Sequence, residues 1–139
     1  MENPGILVDT SVIIDFLRKQ YKEKTILWAL KESSSCFMSS ITYFELLAGA
    51  TNESKQDDVN KICKWIPVLN FEENSARVAA KIYRELKSDN KLIEFRDIFI
   101  AATALWYNFS LATLNNTHFK RIRNLHLHPC SPPHNDNND

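Results

Sequence analysis

The sequence predicts an α/β domain built on a mostly parallel sheet whose two faces are covered by helices. Two observations carry this. From residue 5 to about residue 128, short apolar runs of strand length alternate with longer segments of helical periodicity. Only two glycines, Gly5 and Gly49, occur in 139 residues, too few for an all-β chain with many tight turns. The length suits one domain with a full core.

The first run, GILVD (residues 5–9), predicts a buried strand, and TSVIIDFLRK the helix after it. KTILWALKE predicts a second helix with Ile26, Leu27 and Leu30 on one face. SCFMSS predicts a second strand, and ITYFELLAGA a helix ending near Gly49. Between Ser54 and Ile66, the residues Val59, Ile62, Cys63 and Ile66 recur at helical spacing. IPVLNF predicts a third strand, closed on its N-terminal side by Pro67. Ala76, Ala79, Ala80, Tyr83 and Leu86 mark a long amphipathic helix. FRDIFIAATALWY is apolar nearly all round, which predicts a central, buried helix. FSLATL predicts a fourth strand. LHLH predicts a fifth, alternating with period two as a half-exposed edge strand does. The tail SPPHNDNND holds mainly proline and small polar residues, so disorder is expected over 129–139, leaving a folded domain over 1–128.

Hydrophobic residues make up 44% of the chain and charged residues 24%, as in ordinary soluble domains. Acidic and basic residues balance at 17 each, so bulk charge points neither toward nor away from nucleic acid. Cys36, Cys63 and Cys130 are scattered without CxxC spacing. They are expected to be reduced thiols, which suits a cytoplasmic protein. MENPG lacks the basic region of a signal peptide, and no apolar segment reaches membrane-spanning length. The absence of HExxH, GxSxG and GK[ST] excludes zincins, serine hydrolases and P-loop enzymes.

In parallel α/β folds, ligands bind outside the carboxyl ends of the strands. Asp9 closes the first strand. Taken alone it reads as an N-cap of the following helix. Asp15, inside that helix, reads as a solvated surface acid. Thr42-x-x-Glu45 matches a capping box, yet Ile41, Phe44, Leu46 and Leu47 around it equally allow Glu45 to turn inward. Asp97 lies in a stretch with no polar face, where an ionised carboxylate needs a cation partner or a shifted pKa. Placement in a helix first turn, against the macrodipole, is the alternative. Arg96 is available to Asp97, although sequence neighbours on a helix point in different directions. Thr113, Asn115 and His118 cluster after the fourth strand, where turn chemistry also explains them. Jointly, three acids at strand-to-helix handovers favour a hard cation, Mg²⁺ or Mn²⁺. The run Lys120, Arg121, Arg123, with His126 and His128, offers either a surface for an RNA backbone or a solvated edge.

Four stretches in this order, ILVDTSVIIDFL, SSITYFELLAGA, RDIFIAATAL and LATLNNTHFKRIRNLHLH, resemble the PIN-domain ribonucleases, and specifically the VapC-type toxins of toxin–antitoxin pairs. The resemblance runs from Gly5 to His128. It implies a three-layer α/β/α sandwich with a parallel sheet of four or five strands. It also implies Mg²⁺-dependent endonucleolytic cleavage of RNA that arrests translation and growth, restraint by a cognate antitoxin, and a homodimer or a toxin–antitoxin hetero-oligomer. By motif, Asp9, Glu45 and Asp97 are similar to the three metal-holding acids of the family. Asn115 would join this catalytic set directly or through water. Thr10 and Ser11 would hold the turn or a metal-bound water, and with Thr113, His118, Lys120, Arg121 and Arg123 they are the expected RNA contacts. The chain departs from the family at T-x-[DN]-x-x-D-F, which here reads Thr113 to Phe119, with His118 where a second acid is often seen. That departure keeps open a degenerate, non-catalytic PIN domain that only binds RNA or an antitoxin. A haloacid-dehalogenase-type phosphatase requires an Asp two residues after the first, where Ser11 stands. A response-regulator receiver requires paired first-strand acids and a late Lys, and has neither here.

Overall fold

The computed structural model describes residues 5–130. Strand β1 (Ile6–Val8) is followed by α1 (Thr10–Arg18), one 3-10 turn (Lys22–Lys24), α2 (Ile26–Ser33) and β2 (Cys36–Ser39). Then come α3 (Ser40–Gly49), α4 (Glu53–Trp65), β3 (Val68–Leu69), α5 (Glu73–Ser88), α6 (Phe95–Tyr107), β4 (Ser110–Ala112) and α7 (Asn116–Phe119). All strand pairs are parallel, in the order β3-β2-β1-β4. The register sets Ile6 beside Cys36 and Ser110, and Val8 beside Ala112.

The alternation of a pleated strand explains the three layers. Ile6 and Val8 enter one core with Val12, Ile13 and Phe16 of α1, Leu27 and Leu30 of α2, and Val59 and Ile62 of α4. Leu7 points the other way and packs with Ala79, Ile82 and Leu86 of α5, Ile98 and Ala101 of α6, and Phe119 of α7. A strand buried on both faces reads as a continuous apolar run, which is why β1 was visible as one. Gly5 enters β1 with φ +124, and a Cβ there would lie 2.9 Å from the Phe37 ring, so only glycine fits.

Local signals set the helix ends. Thr25, Ser39 and Asn52 cap α2, α3 and α4, accepting from the amides of Trp28, Thr42 and Lys55. Asn108 closes α6 in the left-handed conformation, its φ at 58. Because Ser39 caps α3, the Thr42–Glu45 capping box, one of the two alternatives for Glu45, does not form, and Glu45 is left for another role.

Several expectations are corrected. LHLH is not a fifth strand: Leu127 makes a single parallel bridge to Leu111. Pairing is confined there by Asn124, whose φ of 66 turns the chain just upstream, and by Pro129, which has no amide to donate. Helix α6 is not apolar against protein all round, since Phe95 is 61% and Trp106 47% exposed. Phe95 and Phe99 instead face Ala76, Ala80 and Tyr83 across an open groove of about 420 Å³ between α5 and α6. Asp15 is not a solvated acid. Its side chain is only 11% exposed, 3.6 Å from Lys19, and its Oδ2 is buried without a hydrogen-bond partner. All three cysteines are free thiols, and burial pushes that of Cys36 up to about 11. Cys130 packs against the first core. Of the tail expected to be disordered over 129–139, residues 131–139 lie outside the described residues. No helix among the described residues is long and apolar enough to cross a membrane.

Candidate active site

The strand order places the topological switch between β1 and β4, because the chain moves from β1 toward β2 and β3 before returning on the other side. Asp9 leaves β1 at this point, its amide donating to the Ala112 carbonyl at 2.8 Å. It occupies the N-cap position of α1 without capping it. Its Oδ2 instead accepts from the hydroxyls of Ser11 at 2.9 Å and Thr113 at 2.7 Å. Asp9 is 1% exposed, and its Oδ1 has no hydrogen-bond partner. The nearest cation to Oδ1 is the Arg96 guanidinium, with Nη2 at 3.7 Å.

Glu45 projects from α3 toward the same point. Its Oε1 accepts from the Thr10 hydroxyl at 2.8 Å, and Thr10 also lies 3.0 Å from the buried Thr42 hydroxyl. Asp97, in the first turn of α6 and 1% exposed, completes the trio. Arg96 stands at the centre. Its Nε and Nη2 both donate to Glu45 at 2.8 Å, and its Nη1 donates to Asp97 Oδ1. The neighbours Arg96 and Asp97 therefore do meet, because the long arginine side chain folds back over the helix end. Two unit charges 4 Å apart at the effective dielectric of such a site interact by about 4 kcal/mol. Three carboxylates so placed need a cation, and in this conformation Arg96 supplies it.

The electrostatics follow. The Glu45 carboxylate holds the Arg96 guanidinium above its ordinary pKa. Burial pushes the Asp97 carboxyl above the usual carboxylate value, a rise that Arg96 and a hydrogen bond from His118 only partly offset. His118 Nδ1 lies 3.2 Å from Asp97 Oδ2 and 3.0 Å from the Asn115 amide nitrogen. One Nδ1 cannot donate to Asp97 and also accept from an amide. A hydrogen bond to an ionised group is the stronger, so the Nδ1 proton is assigned to the bond with Asp97.

The structure thus brings Asp9, Glu45 and Asp97 together and seats Asn115 against His118 rather than against the acids. Thr10 and Thr113 are buried, and each hydroxyl is engaged with a carboxylate, so they position acids rather than offer a surface to RNA. Ser11 is half-buried, donating to Asp9 and accepting from the Leu114 amide at 3.1 Å. In the basic run, Arg121 reaches the carbonyls of Lys91 and Leu92, Arg123 lies 3.3 Å from Asp89, and Lys120 is exposed. The residue missing from the expected site is Arg96. Its signal was present, as the one basic residue in a stretch whose only other charge is Asp97. Among the described residues no three acids or imidazoles stand in a ready ligand set for a metal. The guanidinium occupies the place where their oxygens would meet. The donors are nonetheless all oxygen, and Asp9 Oδ1 is buried and open, a combination that suits a hard cation.

A family model for the PIN domain matches residues 6–125, nearly all of the described chain. The chain belongs to the PIN-domain family. Relatives of this PIN domain include Ribonuclease VapC1 of Methanocaldococcus jannaschii, 32% identical over 126 residues, covering 91% of this chain and 87% of the relative. Toxin FitB of Neisseria gonorrhoeae is 30% identical over 125 residues, covering 82% and 90%. Among solved structures, VapBC-1 from nontypeable Haemophilus influenzae superposes with a TM-score of 0.78 at 27% identity, covering 88% of this chain and 96% of that one.

Proposed function

We propose that this PIN domain is a Mg²⁺-dependent endoribonuclease, with Mn²⁺ as a substitute, acting as the toxin of a toxin–antitoxin pair. The observation that carries the reading is the convergence of Asp9, Glu45 and Asp97 at the carboxyl edge of the sheet, with Asp9 Oδ1 buried and unpaired. The relatives named as a ribonuclease and a toxin support it. Asp9, Glu45 and Asp97 would hold the ion. When bound, such an ion acidifies a water and neutralises charge on a scissile phosphate. The remaining work belongs to the chain. Ser11 and Thr113 fix the Asp9 carboxylate, Thr10 fixes that of Glu45, and His118 orients Asp97. In-line attack by water on phosphorus expels the 3′-oxygen. Lys120, Arg121 and Arg123 are all exposed, and Lys120, whose side chain is not engaged with a carbonyl or an acid as the two arginines are, is the first candidate for the RNA backbone.

The test compares Asp9→Asn and Asp97→Asn with the wild type on a structured RNA in Mg²⁺. Full cleavage by either variant sinks the reading. Expression with and without the neighbouring open reading frame tests the pairing: growth arrest relieved by the neighbour is the expected outcome, with cleavage in the cytoplasm halting translation. The likeness to VapBC-1 of Haemophilus influenzae supports a protein partner and a hetero-oligomer.

A second reading has its own observation. Arg96 fills the centre of the cluster, and His118 stands where a further acid is often seen. Both suit a non-catalytic PIN domain that binds RNA or an antitoxin. Metal-dependent turnover separates the two.

A further inference from the structure

We propose that Arg96 is a built-in competitor of the divalent ion: it locks the three carboxylates in the metal-free protein and must swing out for metal to bind. This rests on the metal-dependent reading above and adds a control to it.

The argument starts from the oxygens. Each carboxylate oxygen offers about two acceptor positions. Asp9 Oδ2 uses two, on Ser11 and Thr113. Glu45 Oε1 uses two, on Thr10 and Arg96 Nη2, and Oε2 takes Arg96 Nε. Asp97 gives Oδ1 to Arg96 and Oδ2 to His118. Asp9 Oδ1 is the one oxygen of the trio left open, and it faces Arg96 Nη2 at 3.7 Å. Mg²⁺ sits at about 2.0–2.1 Å from its ligands. An ion on Asp9 Oδ1 that also reaches Glu45 or Asp97 therefore claims the space of the guanidinium.

Which partner moves is set by burial. Asp9 and Asp97 are each 1% exposed and pinned by hydroxyl or imidazole contacts. The Arg96 and Glu45 side chains are 31% and 27% exposed, so both border solvent. Arg96 has a path outward that the two aspartates lack. Its hold is strong, a bidentate fork on Glu45 plus a third bond to Asp97, the geometry in which arginine outperforms lysine. Affinity for an ion that needs the unlocked state falls by the fraction of time the lock is open.

Two measurements test this, and neither reads cleavage. The first follows the Arg96 Nε–Hε signal of the wild type by NMR during Mg²⁺ titration. It should start far from the free-arginine position and move to it as the Asp9 and Asp97 signals shift. The second measures Mn²⁺ affinity by calorimetry for wild type, Arg96→Lys and Arg96→Ala. Removing the lock should tighten binding by about tenfold or more, with the lysine variant between. Mg²⁺ that shifts the aspartates while Arg96 stays put overturns the inference and leaves the proposed function standing. Equal or weaker Mn²⁺ affinity in a folded Arg96→Ala overturns it likewise. If Arg96→Ala does not fold, the wild-type titration decides alone. If no signal moves and no variant binds Mn²⁺, the metal-dependent reading and this inference fall together.

Discussion

Residues 6–8 and residue 9 lie on one continuous stretch of backbone and follow opposite rules. Inside the sheet, Ile6, Leu7 and Val8 are buried on both faces among apolar side chains. One residue on, Asp9 is as deeply buried but joins two further carboxylates around a guanidinium. The first region contributes stability and no chemistry. The second gathers charges that repel one another and tolerates them only because a cation stands among them. The edge of the sheet is where a fold can host such an arrangement, since neighbouring strands end together and their following residues converge without breaking a ladder.

Substitutions on either side should separate these roles. Leu7→Ala removes a side chain that is fully buried in the second core, so it should lower the unfolding free energy by about 2–5 kcal/mol in chemical denaturation. Cleavage per folded molecule should stay near wild type. Asp9→Asn should do the reverse, reducing Mg²⁺-dependent RNA cleavage on the order of a hundredfold or more while the denaturation midpoint holds or rises. An unfolded Asp9→Asn would break the comparison, because it would make Asp9 part of the scaffold. Thr113→Val sits between the two. It removes a hydrogen bond to a charged acceptor, worth about 1.5–3 kcal/mol, and loosens Asp9 as well, so both stability and cleavage should fall.

The same contrast governs what the sequence discloses. β1, β2 and β4 were readable because short strands buried on both faces are uninterrupted apolar runs, and the helices because their stripes repeat at helical spacing. Asp9 and Glu45 were readable because each follows a strand. Asp97 stands not at a strand-to-helix handover but in the first turn of α6 after helix α5, and was readable as an acid among apolar helical residues. What closes around the three acids was not. Thr113 reaches Asp9 across 104 residues through the β1–β4 register, which no local pattern encodes. Arg96 was legible as a partner for Asp97 alone, with helix geometry counting against it, yet a long side chain at a helix end folds back onto its neighbour's carboxylate and reaches Glu45 as well. The LHLH alternation was a true strand pattern whose pairing is confined by Asn124 and Pro129, and Asp15 is sunk by tertiary packing that its helical position does not reveal.

The smallest effect is also the most diagnostic of the carboxyl edge. Burial raises the Asp97 pKa above its ordinary value. A raised folded-state pKa means that the native protein holds that proton more tightly than the unfolded chain does. The stability this provides is fully present below the ordinary carboxylate pKa and is lost as pH rises through the raised value. At neutral pH, without metal, the ionised Asp97 therefore works against the fold, and Asp97→Asn, a neutral mimic of the protonated acid, should melt a few degrees higher than wild type. Scanned downward in pH, the gap should close between the raised value and the ordinary carboxylate range, as the wild type acquires the proton that the variant imitates. Millimolar Mg²⁺ at neutral pH should reverse the order, because only the wild type then gains a bound ion. A variant that melts lower than wild type at every pH, with or without metal, would mean that the Arg96 and His118 contacts outweigh the burial of Asp97. The cluster would then be an ion-pair network serving the fold, and the division between sheet and edge would not hold.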